Sequence, residues 1–61
     1  MKFVILKNEK GQYWWRAVAG GNNETLAQSE MLSSRQACMN AIGILQREAA
    51  AARVDDRTDD N

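Results

Sequence analysis

The amino-acid sequence predicts an α+β domain in which an antiparallel sheet packs on one helix, with elements in the order β-β-β-α-β. Short runs of β-forming residues, separated by glycine-containing turns, occupy the first half of the chain. A serine followed by an amphipathic stretch in the second half is typical of a capped helix. Near the C-terminus, the apolar residue Val54 lies between charged residues and indicates a brief last strand.

The first two strands are predicted to form a hairpin. Residues 3–6 are an apolar run of β-forming side chains between lysines, and residues 12–19 contain a tyrosine, two tryptophans and a valine. Residues 8–11 have the composition of a turn, and Gly11 can adopt a positive φ without steric cost. Two such runs joined by a short glycine-containing loop indicate a hairpin.

A second turn and a helix cap define the next two elements. Residues 20–23 read Gly-Gly-Asn-Asn and tolerate a left-handed backbone, so residues 24–30 are predicted as the third strand. Ser33 is the predicted N-cap of the helix, with Gln36 as its capping-box partner. The apolar residues that recur at three- and four-residue spacing on one helix face are Cys38, Ala41, Ile42, Leu45 and Ala49.

The C-terminal end is predicted to hold a short strand and a tail. Arg53, Val54 and Asp55 form the expected last strand, and residues 56–61 are expected to be a polar, disordered tail. A chain of 61 residues has room for one domain, which we place at residues 1–55.

So short a chain buries only about 60% of the surface that its unfolded form exposes, and it usually needs an additional stabilising link. Cys38 is the only cysteine and there is no histidine, which excludes an internal disulfide and a zinc site of the usual Cys/His kind. Association with another chain is the remaining source of stability. The sequence therefore favours an oligomer.

Charge is unevenly distributed although the net charge is zero. Residues 1–53 carry seven basic and four acidic side chains, a balance of +3, whereas residues 54–61 carry four aspartates and one arginine, a balance of −3. Because the basic residues are scattered and residues 54–61 are acidic, the charge distribution argues against strong binding to nucleic acid. No segment reaches the roughly 18 apolar residues of a membrane span, and the N-terminal run resembles a strand rather than a signal peptide. With its lone cysteine, the chain is expected in the cytoplasm.

The two adjacent tryptophans must point to opposite faces of the sheet, because side chains alternate along a strand. The face on which the helix is expected consists of Phe3, Ile5, Tyr13 and Trp15. The opposite face consists of Val4, Leu6, Trp14, Arg16 and Val18. This second face is unusually apolar for the solvent side of an antiparallel sheet. Two interpretations stay open: local cross-strand packing of Trp14, or a contact surface built from Val4, Leu6, Trp14 and Arg16 for another chain or a ligand.

No set of residues has the pattern of a catalytic or metal site. Cys38 lies on the apolar helix face with no histidine to deprotonate it, and Ser29 and Glu30 lack a base and an orienting group. The C-terminal aspartates lack the spacing and glycine of a calcium loop. Aromatic residues beside Arg16 are typical of a stacking platform for single-stranded nucleic acid, although few basic residues lie nearby. We therefore expect no cofactor and no enzymatic activity.

The order of short motifs along residues 2–58 matches a known pattern. The matching residues are Lys2-Phe3, Ile5, Lys7, Gly11, Tyr13, Trp15, Arg16, Leu26-Ala27, Ser29-Glu30, Ser33-Ser34-Arg35, Cys38, Asn40-Ala41-Ile42 and Ala52-Arg53-Val54-Asp55. In this order and spacing the chain resembles the YegP-like family of small, mostly bacterial proteins. The resemblance implies a β-β-β-α-β unit that occurs as a tandem repeat or as a single copy that dimerises.

For a single copy, the resemblance implies a homodimer with one continuous sheet in which the C-terminal strands, here Arg53, Val54 and Asp55, are exchanged. It implies no activity. The sequence thus favours a homodimeric binding or regulatory module. A weak nucleic-acid or nucleoprotein-associated binder that uses Trp14, Arg16 and nearby lysines is the alternative, and an enzyme is third.

Overall fold

The computed structural model of the protein describes residues 1–59. Three strands, β1 (Lys2–Lys7), β2 (Tyr13–Val18) and β3 (Thr25–Gln28), precede a helix, α1 (Arg35–Glu48), and a 3₁₀ turn (Ala49–Ala51). The strands form one antiparallel sheet in the order β1-β2-β3, and α1 packs against β2 and β1. The α+β class and the order of these elements confirm the prediction.

The loop of the β1–β2 hairpin is stabilised by hydrogen bonds between its own backbone N–H groups and one of its side chains. The Asn8 side-chain Oδ1 accepts hydrogen bonds from the backbone N–H groups of Lys10 (2.9 Å) and Gln12 (3.1 Å). Gly11 has a φ of 78°, a left-handed conformation that is strained for residues with a side chain. The five-residue connection pairs Ile5 with Trp15, which confirms the predicted hairpin and its assignment of side chains to faces.

The third strand is shorter than the predicted residues 24–30. Its pairing with β2 shifts register between Ala17 and Val18, which leaves Leu26 as an extra, bulged residue. Beyond β3 the chain returns to β2, where Tyr13 and Leu32 exchange two backbone hydrogen bonds of 3.0 and 2.7 Å. Strand β3 is therefore a short, irregular edge.

The helix begins one residue later than predicted. Ser34, not Ser33, is the N-cap: its backbone is extended and its side-chain oxygen accepts a hydrogen bond from the Ala37 N–H (3.0 Å). With the cap at Ser34, Gln36 is no longer at the third helical position, so the predicted capping box is wrong. The Gln36 side chain instead donates to the Asn40 side chain one turn later (2.9 Å).

Replacement of Ser34 by alanine is expected to lower the free energy of unfolding by about 1 kcal/mol, because the Ala37 N–H loses its acceptor. The same change at the exposed, neighbouring Ser33 is expected to stay within about 0.5 kcal/mol. Urea denaturation followed by circular dichroism measures both. Equal losses, or a larger loss at Ser33, would show that Ser34 is not the cap.

The core is small. Among the described residues the buried hydrophobic side chains, at most 7% exposed, are Ala17, Val18, Cys38 and Ile42. Cys38 and Ile42 lie on the predicted apolar helix face, whereas Ala49 lies in the exposed 3₁₀ turn. The middle residues of β1 and the first four of β2 are all half-buried, so neither face of the hairpin is fully covered.

The predicted last strand is not formed in this chain. Residues 52–57 have no regular secondary structure, and Val54 is 93% exposed. A strand needs a neighbour with free hydrogen-bonding groups, and no described part of the sheet lies beside Arg53, Val54 and Asp55. Of the predicted tail, residues 56–59 are exposed and residues 60–61 lie outside the described part of the chain.

Candidate functional site

One candidate surface, which we call the Trp14 face, is defined by the strand register. Leu6 is paired with Trp14, Val4 with Arg16, and Lys2 with Val18. Because directly opposed residues project to the same side, the predicted contact residues Val4, Leu6, Trp14 and Arg16 do share one face of the sheet. Lys2 adds a second basic side chain to this face.

A cross-strand contact orients the basic group of the Trp14 face. The Arg16 Nε donates a hydrogen bond to the side-chain oxygen of Gln28 (2.8 Å), which lies directly opposite on β3. The contact is exposed to solvent, so the guanidinium lies on the surface, on the same face of the sheet as Trp14. The face thus combines an aromatic ring, aliphatic side chains and an oriented cation.

The opposite face is held together by aromatic packing. The rings of Phe3 and Trp15 meet edge to face, with centroids 6.0 Å apart and planes at 78°. The Lys7 ammonium lies 5.5 Å from the centroid of the Tyr13 ring. Ala17, which shares this face, is buried. These contacts lie on the face for which the sequence predicts the helix.

The second candidate surface is the C-terminal segment, residues 53–55. All three side chains are exposed, and the Asp55 carboxylate accepts from the Arg57 side chain at 3.1 Å. Hydrogen bonds from the backbone N–H and then the hydroxyl of Thr58 lower the pKa of the exposed Asp56 carboxyl. These hydrogen bonds keep Asp56 ionised to lower pH than an unbonded aspartate. Val54, two residues before it, is exposed.

Two of the residues considered for chemistry, Cys38 and Ser29, take part in the packing and hydrogen bonding of the fold. The Cys38 side chain is 0% exposed. The Ser29 hydroxyl accepts a hydrogen bond from the Trp15 N–H (3.0 Å) and donates to the Glu30 carbonyl (2.8 Å). Sequence reasoning missed this bridge, by which a side chain continues the β2–β3 ladder past the end of β3. No spacing or composition signal pointed to it.

Within residues 1–59, no three histidine, cysteine or acidic side chains are grouped closely enough to hold a metal ion. Over the same residues, the helical segments are too short and too polar for a membrane crossing.

The fold and its candidate surfaces define a small α+β domain with an open antiparallel sheet and no recognisable catalytic constellation in the described residues. The chain belongs to the family described as "domain of unknown function (DUF1508)", whose sequence profile matches residues 8–56. This match confirms the resemblance to the YegP-like family.

Two relatives are the UPF0339 proteins of Neisseria meningitidis, one from a serogroup B strain and one from a serogroup A strain. Each is 43% identical to this chain over 54 residues, which cover 88% of the chain and 95% of the relative. The similarity therefore covers most of this chain and nearly all of each relative.

Proposed function

We propose that the protein is a non-enzymatic, cytoplasmic homodimer that acts as a binding or regulatory module, in which each copy gives residues 53–55 to the sheet of the other. The Trp14 face is then the surface offered to a partner or ligand. The proposal depends most on one observation, the 93% exposure of Val54 in a segment without a strand neighbour.

The exposure of Val54 is notable because valine favours a pleated, half-buried environment. The backbone before it already leaves the helical conformation, since Ala52 has φ −66° and ψ 140°. The chain therefore leaves the 3₁₀ turn with extended backbone, the conformation that strand pairing uses. A second copy supplies the hydrogen-bonding neighbour that residues 1–59 of the same chain do not.

The size of the core supports the same proposal. A domain of this length has a narrow stability margin, and its described residues include few fully buried side chains. The sequence provides neither a disulfide nor a Cys/His zinc site as an additional link. Burial of Val54 and of the open sheet edge against a second copy removes further apolar area from water. It stabilises the fold without a disulfide or a zinc ion.

Sedimentation at micromolar concentration tests the proposal and is expected to show a dimer. Val54→Pro is expected to raise the dissociation constant of the dimer about tenfold, because it removes one strand hydrogen bond from each of the two exchanged strands. Asp59→Pro, in the exposed segment beyond, is the matched control and is expected to leave the dimer intact. A native monomer, or equal behaviour of the two variants, would contradict strand exchange at residues 53–55.

The alternative function, weak binding of nucleic acid or nucleoprotein, is favoured by one observation: the register brings Lys2 and Arg16 onto the face of Trp14. A Trp15→Phe variant leaves Trp14 as the only tryptophan and so as the fluorescent reporter. On this alternative, single-stranded oligonucleotides quench its emission, more weakly at high salt and in a further Arg16→Gln variant. No salt-sensitive change would exclude this alternative.

A further inference from the structure

The structure has two open sheet edges, and either one offers backbone groups to an added strand. On the basis of the proposed homodimer, we infer that the outer edge of β1, and not that of β3, receives residues 53–55 of the second copy. Three features of the two edges lead to this assignment: the direction of their free backbone groups, their regularity and their charge.

The direction of the backbone groups follows from the hydrogen bonds around β2. The backbone groups of Tyr13 and Trp15 bond to the β3 side, to Leu32 and Ser29 at 2.7–3.0 Å. Alternate residues of a strand direct their N–H and C=O groups to opposite sides. Trp14 and Arg16 therefore bond toward β1.

On β1, Leu6 lies opposite Trp14 and Val4 lies opposite Arg16. Leu6 and Val4 therefore direct their backbone N–H and C=O groups to β2. Phe3, Ile5 and Lys7 consequently present their N–H and C=O groups at the outer edge. On β3, Gln28 lies opposite Arg16 and presents its groups at the other outer edge by the same reasoning.

The two edges differ in regularity. Strand β1 pairs with β2 over all six residues, Lys2–Lys7, without a break in register. Strand β3 has four residues and contains the bulge at Leu26. A bulge interrupts the spacing of free groups and is a common device that protects an edge from pairing. The β1 edge is the better template.

The two edges also differ in charge. Residues 1–12 carry three lysines and one glutamate, a balance of +2, and Lys2 and Lys7 at the ends of β1 are exposed. Residues 19–34 carry two glutamates and no basic residue, a balance of −2. The incoming C-terminal segment, residues 53–61, carries four aspartates and two arginines, a balance of −2. Attraction at β1 and repulsion at β3 select the same edge.

Amide hydrogen exchange measured by NMR on the native protein tests the assignment. The outward amides of Phe3, Ile5 and Lys7 are expected to exchange at least about tenfold more slowly in the dimer than in the Val54→Pro variant. The outward amide of Gln28 is the internal control and is expected to exchange equally fast in both. Protection of Gln28, with free exchange at Phe3, Ile5 and Lys7, would overturn the assignment while leaving the dimer in place.

A pair of proline variants, whose dimer dissociation constants are measured by sedimentation, tests the same edge. Ile5→Pro removes an outward N–H and no bond to β2, and it is expected to weaken the dimer about tenfold. Gln28→Pro removes the equivalent group at the β3 edge and is expected to have no such effect. The opposite order of these two effects would overturn the assignment, and the exchange measurement remains decisive if either variant fails to fold.

Charge reversal provides an independent check. Lys2→Glu is expected to raise the dissociation constant about two- to fivefold at low salt, with less effect at high salt, whereas Glu24→Lys is expected to leave it unchanged. A tighter dimer of Glu24→Lys would point to β3. A monomer under all conditions would refute the proposed homodimer itself, and with it this edge assignment.

Discussion

Replacement of Trp15 by alanine is expected to lower the free energy of unfolding by about 3–5 kcal/mol, the usual loss for a large aromatic side chain removed from a packed site. Trp15 is the partner of Phe3 in the edge-to-face pair and lies on the face that we assign to the helix. Small domains lie near the lower end of the usual 5–15 kcal/mol stability range. The variant is therefore expected to be largely unfolded at room temperature by circular dichroism.

Trp14→Ala is the matched control, since it removes the same side chain from the adjacent position. On the opposite face Trp14 lies across from Leu6, and loss of that cross-strand pair is expected to cost about 1 kcal/mol. If the Trp14 face is a binding surface, this variant stays folded and loses its partner. Equal destabilisation by the two substitutions would contradict the assignment of the helix to the Trp15 face.

Replacement of Ile42 by alanine is expected to cost about 2–5 kcal/mol, because it leaves a cavity where α1 meets the sheet. Ile42 is 7% exposed, whereas Ile44, two residues further along the same helix, is 48% exposed. Ile44→Ala is expected to change stability by less than about 0.5 kcal/mol. Thermal unfolding at one fixed protein concentration compares the two, since dissociation of a dimer also lowers the melting temperature.

A loss at Ile44 as large as that at Ile42 would have a specific meaning. It would show that the exposed side of α1 is covered in solution, and hence that a second copy contacts the helix as well as the sheet. In that case the Ile44 effect would grow on going from dilute to concentrated protein. A small effect at Ile44 at every concentration is the expected result.

The hairpin and its division of side chains between two faces were predictable because both are local. A turn around Gly11 and the two-residue period of a strand determine that Trp15 joins Ile5 and that Trp14 joins Leu6. The helix was predictable for the same reason, from the spacing of Cys38 and Ile42.

Local patterns did not determine where the elements end. Ser33 and Ser34 are chemically identical candidates for the N-cap, and the choice of Ser34 depends on where the chain leaves the Tyr13–Leu32 bridge. The bulge at Leu26 likewise arises from pairing with β2. Each of these features depends on the fit between segments distant in sequence, which periodicity does not encode.

The sequence by itself determined an α+β domain with a hairpin, a third strand and one amphipathic helix, because residue spacing and turn chemistry act over a few residues. Only the tertiary structure decided that Val54 has no strand neighbour among residues 1–59 and that β1 keeps a regular, open edge. Strand pairing joins backbone groups that are far apart in sequence or that belong to different molecules. The sequence near Val54 therefore indicates a strand but does not determine which strand it pairs with.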